Sequence, residues 1–241
     1  MNEFSLFVKK RGITRLCHFT RINNLPFIFG TDNAGSIPNG IVSRRIVKGS
    51  DLFTSLPRGM EYTDAKRLDC REDLISTSIQ VPNSKYFSRV INKEKIKGAF
   101  NEFCIVLINP NIIDDETIFC PGNAATKGYR DILKDDDDKF KGLEAFKCLF
   151  RDVNNPKHGL IKRGIYLPNN YTTDEQAEVM IPNHIPVNYI DGIVFKDKET
   201  AIMESDKLQL CNVVDISHKK FYYCQNMFAK SRQFNVNLET V

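Results

Sequence analysis

Residues 171–195, YTTDEQAEVMIPNHIPVNYIDGIVF, place a Gln and a Glu two positions apart, directly before an apolar run. The segments QAEVMIP (176–182) and GIVF (192–195) predict two strands of a core sheet. Residues i and i+2 of a strand project from the same face, so Gln176 and Glu178 share one if the strand begins early enough to include both. Glu178 is then either a surface carboxylate at a strand end or a group that takes a proton or holds a sugar hydroxyl. The spacing alone leaves both interpretations open.

Outward from this stretch, short strands and helices follow one another along the chain. Apolar and alternating runs predict strands at 13–19, 74–80, 103–110, 116–122 and 208–216. Helical spacing predicts helices at 24–29, 84–100, 142–153, 197–204 and in the basic, aromatic tail 218–234. Residues 31–66 predict loops with at most a short strand near 41–45, and the acidic run KDDDDK (134–139) predicts a solvated loop. We expect a single α+β domain over residues 1–241.

Composition excludes several classes of protein. The chain has 241 residues, of which 41% are hydrophobic and 27% charged, as in ordinary globular proteins. No apolar run approaches the roughly 20 residues of a membrane span, and the N-terminus does not resemble a secretory signal. The seven Cys are scattered without CxxC pairs, which argues against a disulfide framework and a zinc site. We therefore expect a reduced, cytoplasmic protein without a membrane segment or a metal.

The charge is small in sum but unevenly placed. The net charge is +4, yet residues 85–97 carry five cations against one Glu. Such a cluster could attract a polyanion, although a solvated Lys-rich surface would have the same composition. Tyr86 and Phe87 are interleaved with these cations, either as core residues or as platforms on which bases stack.

Two further strands carry polar residues on one face. His18 and Thr20 lie two apart near the end of the first strand, and Ser76 and Ser78 do so on the strand 74–80. They offer donors and acceptors to a ligand, but a lone His is also commonly buried and satisfied by the backbone. The chain lacks a phosphate-binding Gly motif, a Ser-His-Asp order and a metal-ligand spacing.

Taken in order, these segments resemble the DarT family of DNA ADP-ribosyltransferase toxins. The resemblance extends over roughly residues 14–195 and includes the Thr-x-x-Gln-Ala-Glu-Val block at 173–179. The other segments that carry it are RLCHFTRINNLPFIF (15–29), RLDCREDLISTSIQVPNSKYFSRV (67–90), FCPGNAATKG (119–128) and GLEAFKCLF (142–150). The resemblance implies an ADP-ribosyltransferase-like fold, with two packed small β-sheets around an NAD cleft and flanking helices.

The resemblance also implies a reaction and roles for individual residues. The family breaks the nicotinamide–ribose bond of NAD and transfers ADP-ribose to a base in single-stranded DNA. By resemblance, Glu178 stabilises the oxocarbenium-like transition state, and Arg67 binds the pyrophosphate or the developing charge. The residues expected to bind or order NAD are His18, Thr20, Asn24, Arg67 and Ser76. Those expected at the DNA are Asn123, Gln176, Arg89, Lys93 and Lys97.

The acceptor and the partners follow from the same resemblance. Asn123, in the NAA segment, stands where thymine-modifying relatives carry a His, so we expect guanine to be favoured over thymine. The family implies a toxin of a toxin–antitoxin or phage-defence system, paired with a macrodomain or NADAR-type hydrolase, and we expect a monomer. A transferase that modifies RNA or protein, and a non-catalytic module that binds NAD or nucleic acid, remain as alternatives.

Overall fold

A computed structural model of the chain describes residues 2–30, 39–49, 67–96, 103–210, 216 and 218–241. Within these ranges the helices are α1 (Glu3–Arg11), α2 (Leu25–Ile28), α3 (Arg44–Gly49), α4 (Ser84–Ile96), α5 (Lys127–Asp135), α6 (Gly142–Cys148) and α7 (Lys198–Leu210). The first six strands are β1 (Leu16–Arg21), β2 (Gly40–Val42), β3 (Leu74–Ile79), β4 (Phe103–Ile108), β5 (Ile118–Cys120) and β6 (Val153–Asn155). The others are β7 (Gly159–Ile161), β8 (Glu178–Pro182), β9 (His184–Pro186), β10 (Ile190–Phe195), β11 (Lys220–Tyr223) and β12 (Glu239–Thr240).

Eight of these strands form one sheet in the order β12-β11-β10-β4-β1-β3-β8-β5. The pairs are antiparallel except β10–β11, which is parallel. Two further pairs, β2–β9 and β6–β7, form small antiparallel sheets. The predicted α+β class is confirmed.

The eight-stranded sheet divides between β1 and β3. β1 pairs with β4 along all six of its residues, but with β3 at Leu16 and Cys17 alone. Beyond Cys17 the two strands diverge, which separates a five-stranded half from the three-stranded half β3-β8-β5. The divergence opens a cleft whose walls carry the polar ends of both strands.

The largest hydrophobic cluster holds the two halves together. Its members come from both halves of the sheet and from four of the helices, among them α1 and α6, and most are less than 6% exposed. At its centre the rings of Phe119 and Phe146 stack at 4.6 Å, and Phe4 of α1 lies 6.1 Å from Phe119. Close ring packing of this kind makes α1 and α6 rigid supports for the sheet.

Two sequence-based expectations near the C-terminus are wrong. Residues 208–210 of the predicted last strand belong to α7, and residues 211–215 of it lie outside the described part. The predicted helix 218–234 is instead β11 followed by a 3-10 turn at Gln225–Phe228. Phe221 pairs with Ile193 in the parallel β10–β11 ladder. This pairing across the sheet overrides the local pattern, as commonly happens with propensities.

Two other segments also differ from expectation. The acidic run is not simply a solvated loop, because α5 continues to Asp135 and a 3-10 turn follows at Asp137–Phe140. Asp137 lies 2.8 Å from Arg71 and 3.5 Å from Lys141. Within the predicted loop 31–66, α3 begins at Arg44, and β2 confirms a short strand close to 41–45; residues 31–38 and 50–66 lie outside the described ranges.

Candidate active site

A cleft of about 240 Å³ opens where β1 and β3 diverge. Its walls come from β1 and the turn and helix after it, residues 67–69, β3, the loop after β5 and the segment Asn39–Arg44 with β2. Single residues of α4 and β8 complete them. Seven of the residues selected from the sequence line it: His18, Thr20, Asn24, Arg67, Ser76, Asn123 and Glu178. Residues far apart in the chain therefore meet in one cleft.

Glu178 is the first residue of β8 and lines the cleft. Its Oε1 accepts the backbone N–H of Ala124 at 3.1 Å, and its carboxylate also accepts the Ser76 hydroxyl. Burial raises the pKa of Glu178 above its ordinary 4.5, although these two hydrogen bonds and the nearby Arg67 oppose the shift. The carboxylate is thus held in place by donors while its charge is poorly solvated, which is typical of catalytic carboxylates.

Arg67 is fixed by four hydrogen bonds to the protein. Its guanidinium forms a bidentate pair with Asp69, using Nε at 3.0 Å and Nη2 in a shorter contact. Nη1 donates to the carbonyl of Leu74 at 3.1 Å, and Nη2 donates to Ser76 Oγ at 3.2 Å. Burial alone would lower the pKa of Arg67, but the bonded Asp69 carboxylate raises it above its ordinary value. The cation therefore stays charged beside Glu178.

His18 bridges the two diverging strands. Its Nδ1 lies 2.9 Å from the Ser76 carbonyl oxygen, which can only accept, so Nδ1 carries the proton. Burial lowers the pKa of His18, and the neighbouring Arg67 lowers it further. The imidazole is thus neutral at pH 7, with Nε2 left as an acceptor.

Thr20 and Asn24 form a second polar pair on the same wall. Asn24 Nδ2 donates to Thr20 Oγ1 at 3.0 Å. Thr20 lies near the end of β1, and Asn24 lies in the 3-10 turn that leads into α2. The bond orients both side chains, so that ligand groups would meet a fixed amide and hydroxyl.

Asn123 lies on the loop between β5 and α5, next to Ala124, whose backbone N–H donates to Glu178. Its Oδ1 accepts the N–H of Ala125 at 2.9 Å, which orients the side chain and leaves both N–H groups of the amide available as donors. The preceding Gly122 has no room for a side chain, since a Cβ there would lie 2.8 Å from the Tyr129 ring and 3.0 Å from Asn155. This close packing fixes the loop against β6.

Three predicted DNA-binding residues do not line the cleft, and a fourth lies outside the described residues. Arg89 and Lys93 are exposed on α4 and do not line the cleft, and Lys97 lies outside the described residues. Gln176 does not line the cleft either. The expectation that it shares a strand face with Glu178 is wrong, because Asp174 Oδ1 accepts the N–H of Gln176 at 2.9 Å and forms a turn there. β8 begins only at Glu178.

The structure adds residues that the sequence did not single out. Asp69 is 6% exposed and orients Arg67; its only sequence signal was an oppositely charged residue two positions away. Ser43 lines the cleft from the segment after β2 and is 2% exposed. From the sequence, Tyr86 and Phe87 are either core residues or stacking platforms. In the structure Tyr86 lines the cleft, whereas Phe87 is 1% exposed and belongs to the core.

Neither a membrane span nor a metal cluster is found in the described part of the chain. No helix there is long and apolar enough to cross a bilayer. No group of three or more His, Cys, Asp or Glu residues in those ranges is arranged to hold a metal ion.

Comparison with known families gives one match that covers most of the chain. Residues 17–224 match the model of a family described as DarT, ssDNA thymidine ADP-ribosyltransferase. A comparison with curated proteins returned no significant match. Asn24, Arg67, Asn123 and Glu178 all lie inside the matched range, and the last 17 residues lie beyond it.

Solved structures similar to the chain include three with low sequence identity. Thermosipho africanus DarTG in complex with ADP-ribose is 15% identical with a TM-score of 0.48, over 89% of this chain and 51% of that one. Thermus sp. 2.9 DarT in complex with ADP-ribosylated ssDNA is 11% identical with a TM-score of 0.46, over 83% and 90%. The same protein in complex with NAD+ is 9% identical with a TM-score of 0.47, over 90% and 98%. The chain spans about half the length of the Thermosipho africanus protein.

Proposed function

Because this chain belongs to the DarT family, we propose that it transfers ADP-ribose from NAD to a base of single-stranded DNA and releases nicotinamide. The observation that carries the proposal is the position of Glu178, whose carboxylate is held by Ala124 N–H and Ser76 in the cleft that also contains His18 and Arg67. The description of the family as an ssDNA ADP-ribosyltransferase supports the same reaction.

In the proposed reaction, Glu178 acts on the ribose and on the acceptor base. Cleavage of the nicotinamide–ribose bond leaves positive charge on the ribose, as in glycoside hydrolysis, and an adjacent carboxylate stabilises it. The electron pair of the broken bond leaves with nicotinamide, and the base supplies the pair for the new bond. Glu178 then takes the proton that the base loses. Donors fixed before the reaction avoid reorganisation during it.

The other residues of the cleft would bind NAD. The neutral His18 offers Nε2 as an acceptor for a hydroxyl of the ribose, and Thr20 with Asn24 offers a hydroxyl and an amide. Ser76 links Arg67 to Glu178, since its hydroxyl contacts both. Arg67 supplies positive charge for the NAD pyrophosphate from a fixed position.

For the acceptor we favour guanine over the thymidine in the family's description. The Asn123 side chain has its oxygen engaged by Ala125 N–H, so it presents donors to the cleft. Guanine offers two neighbouring acceptors, N7 and O6, whereas recognition of adenine by Asn requires a free amide oxygen as well. Thymine offers a single acceptor on the same edge.

The hairpin β6–β7 and the residues after it supply a DNA surface that the sequence did not single out. Residues 153–173 contain no Asp or Glu but include Lys157, Lys162 and Arg163. Tyr166 is 92% exposed in this acid-free segment. Tyr129 Oη lies 3.5 Å from the carbonyl of Asn154, which places β6 beside the Asn123 loop. Cations with an exposed aromatic suit single-stranded DNA. Arg89 and Lys93, which are exposed on α4, would supply further cations for the phosphates. Lys97, outside the described residues, is proposed to do the same.

The family also suggests the biological setting. We place the protein in the cytoplasm as a monomeric toxin of a toxin–antitoxin or phage-defence system. Its partner would be a hydrolase, of macrodomain or NADAR type, that removes ADP-ribose from the modified base. This pairing is proposed from membership of the family, because the residues of the cleft do not bear on it.

The proposal is tested by incubating the protein with labelled NAD and a pool of oligonucleotides, RNA and protein. We expect label on single-stranded DNA and none on the matching duplex, because stacking and pairing hide the reacting edge of a base. Strands that differ by one base should show labelling at guanine, which Asn123→Ala reduces more than it reduces NAD cleavage. Label at thymine alone would refute the base assignment, and label on RNA or protein alone would refute the substrate class.

A further inference from the structure

A buried turn leads directly into Glu178. The turn is centred on Asp174, which is 5% exposed. Its two carboxylate oxygens accept Gln176 N–H and Asn155 Nδ2, each at 2.9 Å, and its carbonyl accepts the Thr172 hydroxyl at 2.7 Å and Ala177 N–H at 3.2 Å. A turn with this many internal bonds moves as one unit, so its placement determines where β8 begins.

Arg232, near the C-terminus, holds this turn from outside. Its Nη1 donates to the carbonyl of Thr172 at 2.7 Å, and its guanidinium lies 5.4 Å from the ring of Phe234. The Phe234 ring in turn packs edge-on against Tyr171 at 5.0 Å. Arg232 and Phe234 both lie beyond residues 17–224, so this anchor comes from outside the family match.

The other side of the turn is bound to α4. Glu175 lies 2.7 Å from Lys85 Nζ and accepts the Ser84 hydroxyl at 3.2 Å. The Lys85–Glu175 pair is partly exposed, whereas the Thr172 carbonyl held by Arg232 belongs to a residue that is 5% exposed. A buried hydrogen bond is the more stringent constraint, since losing it leaves a carbonyl without a partner.

We propose that Arg232 is a positioning residue for the transfer reaction, because it fixes the turn Thr172–Ala177 and thereby the carboxylate of Glu178. This inference rests on the proposed role of Glu178. Loss of the hydrogen bond from Arg232 to the Thr172 carbonyl lets the turn shift. The hydrogen bond from Ala124 N–H to Glu178 then lengthens or breaks. His18 and Arg67 lie on other segments and keep their places, so NAD binding is unaffected.

The test compares Arg232→Met with Arg232→Lys. The Met variant removes the donors but keeps an unbranched chain, and the Lys variant restores one donor to the Thr172 carbonyl. Misplacing a catalytic group by about 1 Å can cost about 10²-fold in rate, so we expect kcat for transfer to fall at least tenfold in Arg232→Met, with KM for NAD unchanged. Arg232→Lys should recover most of the loss. Lys230→Met, which removes an exposed cation two residues away, should match the wild type.

Amide hydrogen exchange of residues 172–177 gives a readout that does not depend on turnover. We expect faster exchange there in Arg232→Met and wild-type exchange in Lys230→Met. Unchanged exchange would show that Arg232 does not hold the turn. Faster exchange with unchanged kcat would show that Arg232 holds the turn but does not position Glu178 for the reaction. If Arg232→Met does not fold, Phe234→Ala serves as the milder variant with the same expectations. A wild-type protein that transfers nothing would refute the proposed function instead, while the exchange data still decide whether Arg232 holds the turn.

Discussion

At the scale of single residues, Glu178 combines two opposing influences on its charge. Burial disfavours the carboxylate, while Ala124 N–H, the Ser76 hydroxyl and Arg67 favour it. Asp69 pairs with Arg67 and raises the pKa of Glu178, so it opposes the lowering of that pKa by Arg67. The outcome is a carboxylate with a raised pKa, which can accept a proton more readily than a solvated one.

Replacing Glu178 with Gln tests the role of its charge. The amide keeps the size of the side chain but cannot stabilise a positive ribose or take a proton. We expect kcat to fall by about 10²–10³, as for the loss of one transition-state group. Rates of ADP-ribose transfer, measured beside the circular dichroism of both proteins, check this. Wild-type rates in a folded variant would contradict the central role of Glu178.

The same substitution has an expected effect on stability that depends on pH. The pKa of Glu178 is raised in the folded state, so its contribution to stability is present below the unfolded value and is lost as pH rises through the folded value. Relative to Glu178→Gln, the wild type should therefore lose free energy of unfolding as pH rises from the ordinary Glu value of 4.5 through the higher pKa of the folded state. Urea unfolding of both proteins across this range measures the difference. A difference that is constant with pH would show that burial does not shift this pKa.

At the scale of elements, two neighbouring residues of α4 have different surroundings: Phe87 packs in the core, and Tyr86 lines the cleft. Phe87 packs against Phe19 at 4.5 Å and against Phe103 and Phe228 at 5.8 and 5.5 Å. Tyr86, one position earlier, lines the cleft and lies 5.7 Å from Phe19. Successive residues on a helix point about 100° apart, so one reaches the core and the other the cleft.

Alanine substitutions at these two positions should therefore differ. Phe87→Ala leaves a cavity among three rings and should lower the free energy of unfolding by about 3–5 kcal/mol. Tyr86→Ala should cost much less stability but weaken binding of NAD or of the oligonucleotide. Chemical denaturation and titration calorimetry measure the two effects. Equal destabilisation by both substitutions would place Tyr86 in the core with its neighbour.

At the scale of the whole molecule, charge distribution matters more than net charge. The net charge of +4 is small for a protein that binds DNA. Uncompensated positive charge is found, however, in segment 153–173, which has three Lys or Arg residues and no acid, and along α4, which has four against one Glu. An uneven distribution of this kind produces a local positive potential that attracts polyanions.

We predict that binding of single-stranded DNA weakens steeply with salt, because cations release counterions from the phosphates. Replacing Lys157 and Lys162 together with Ala should lower the slope of log affinity against log salt by about 0.7 for each phosphate that is no longer neutralised. Replacing Lys196 and Lys198, which lie before and at the start of α7 and outside the cleft, should leave the slope unchanged. Fluorescence titrations at several salt concentrations measure these slopes. Identical slopes in all variants would show that Lys157 and Lys162 in segment 153–173 do not contact the DNA phosphates.

The sequence by itself determined the family, the α+β class and the segments that supply Glu178, His18, Arg67 and Asn123. The α+β class and the strands follow from local pattern, because the alternation of apolar residues shows which face of a strand is buried. The family and the choice of Arg67 and Asn123 follow from the resemblance of the ordered segments. The family match confirms the resemblance found in the ordered segments.

Only the tertiary structure decided how those segments meet. The side chain of Asp174 holds Gln176 in a turn, so that β8 begins only at Glu178. Pairing with β10 makes residues 220–223 a strand. Arg232 binds Thr172, which is 60 residues earlier in the chain. Each of the last two outcomes depends on a partner distant in the chain, and such a partner leaves no periodicity in the local sequence. The divergence of β1 from β3 is of the same kind, since hydrogen bonds to β4 and β8 set the direction of each strand. Seven residues of the cleft were therefore named from the sequence, while Asp69, Ser43 and the cleft itself required the fold.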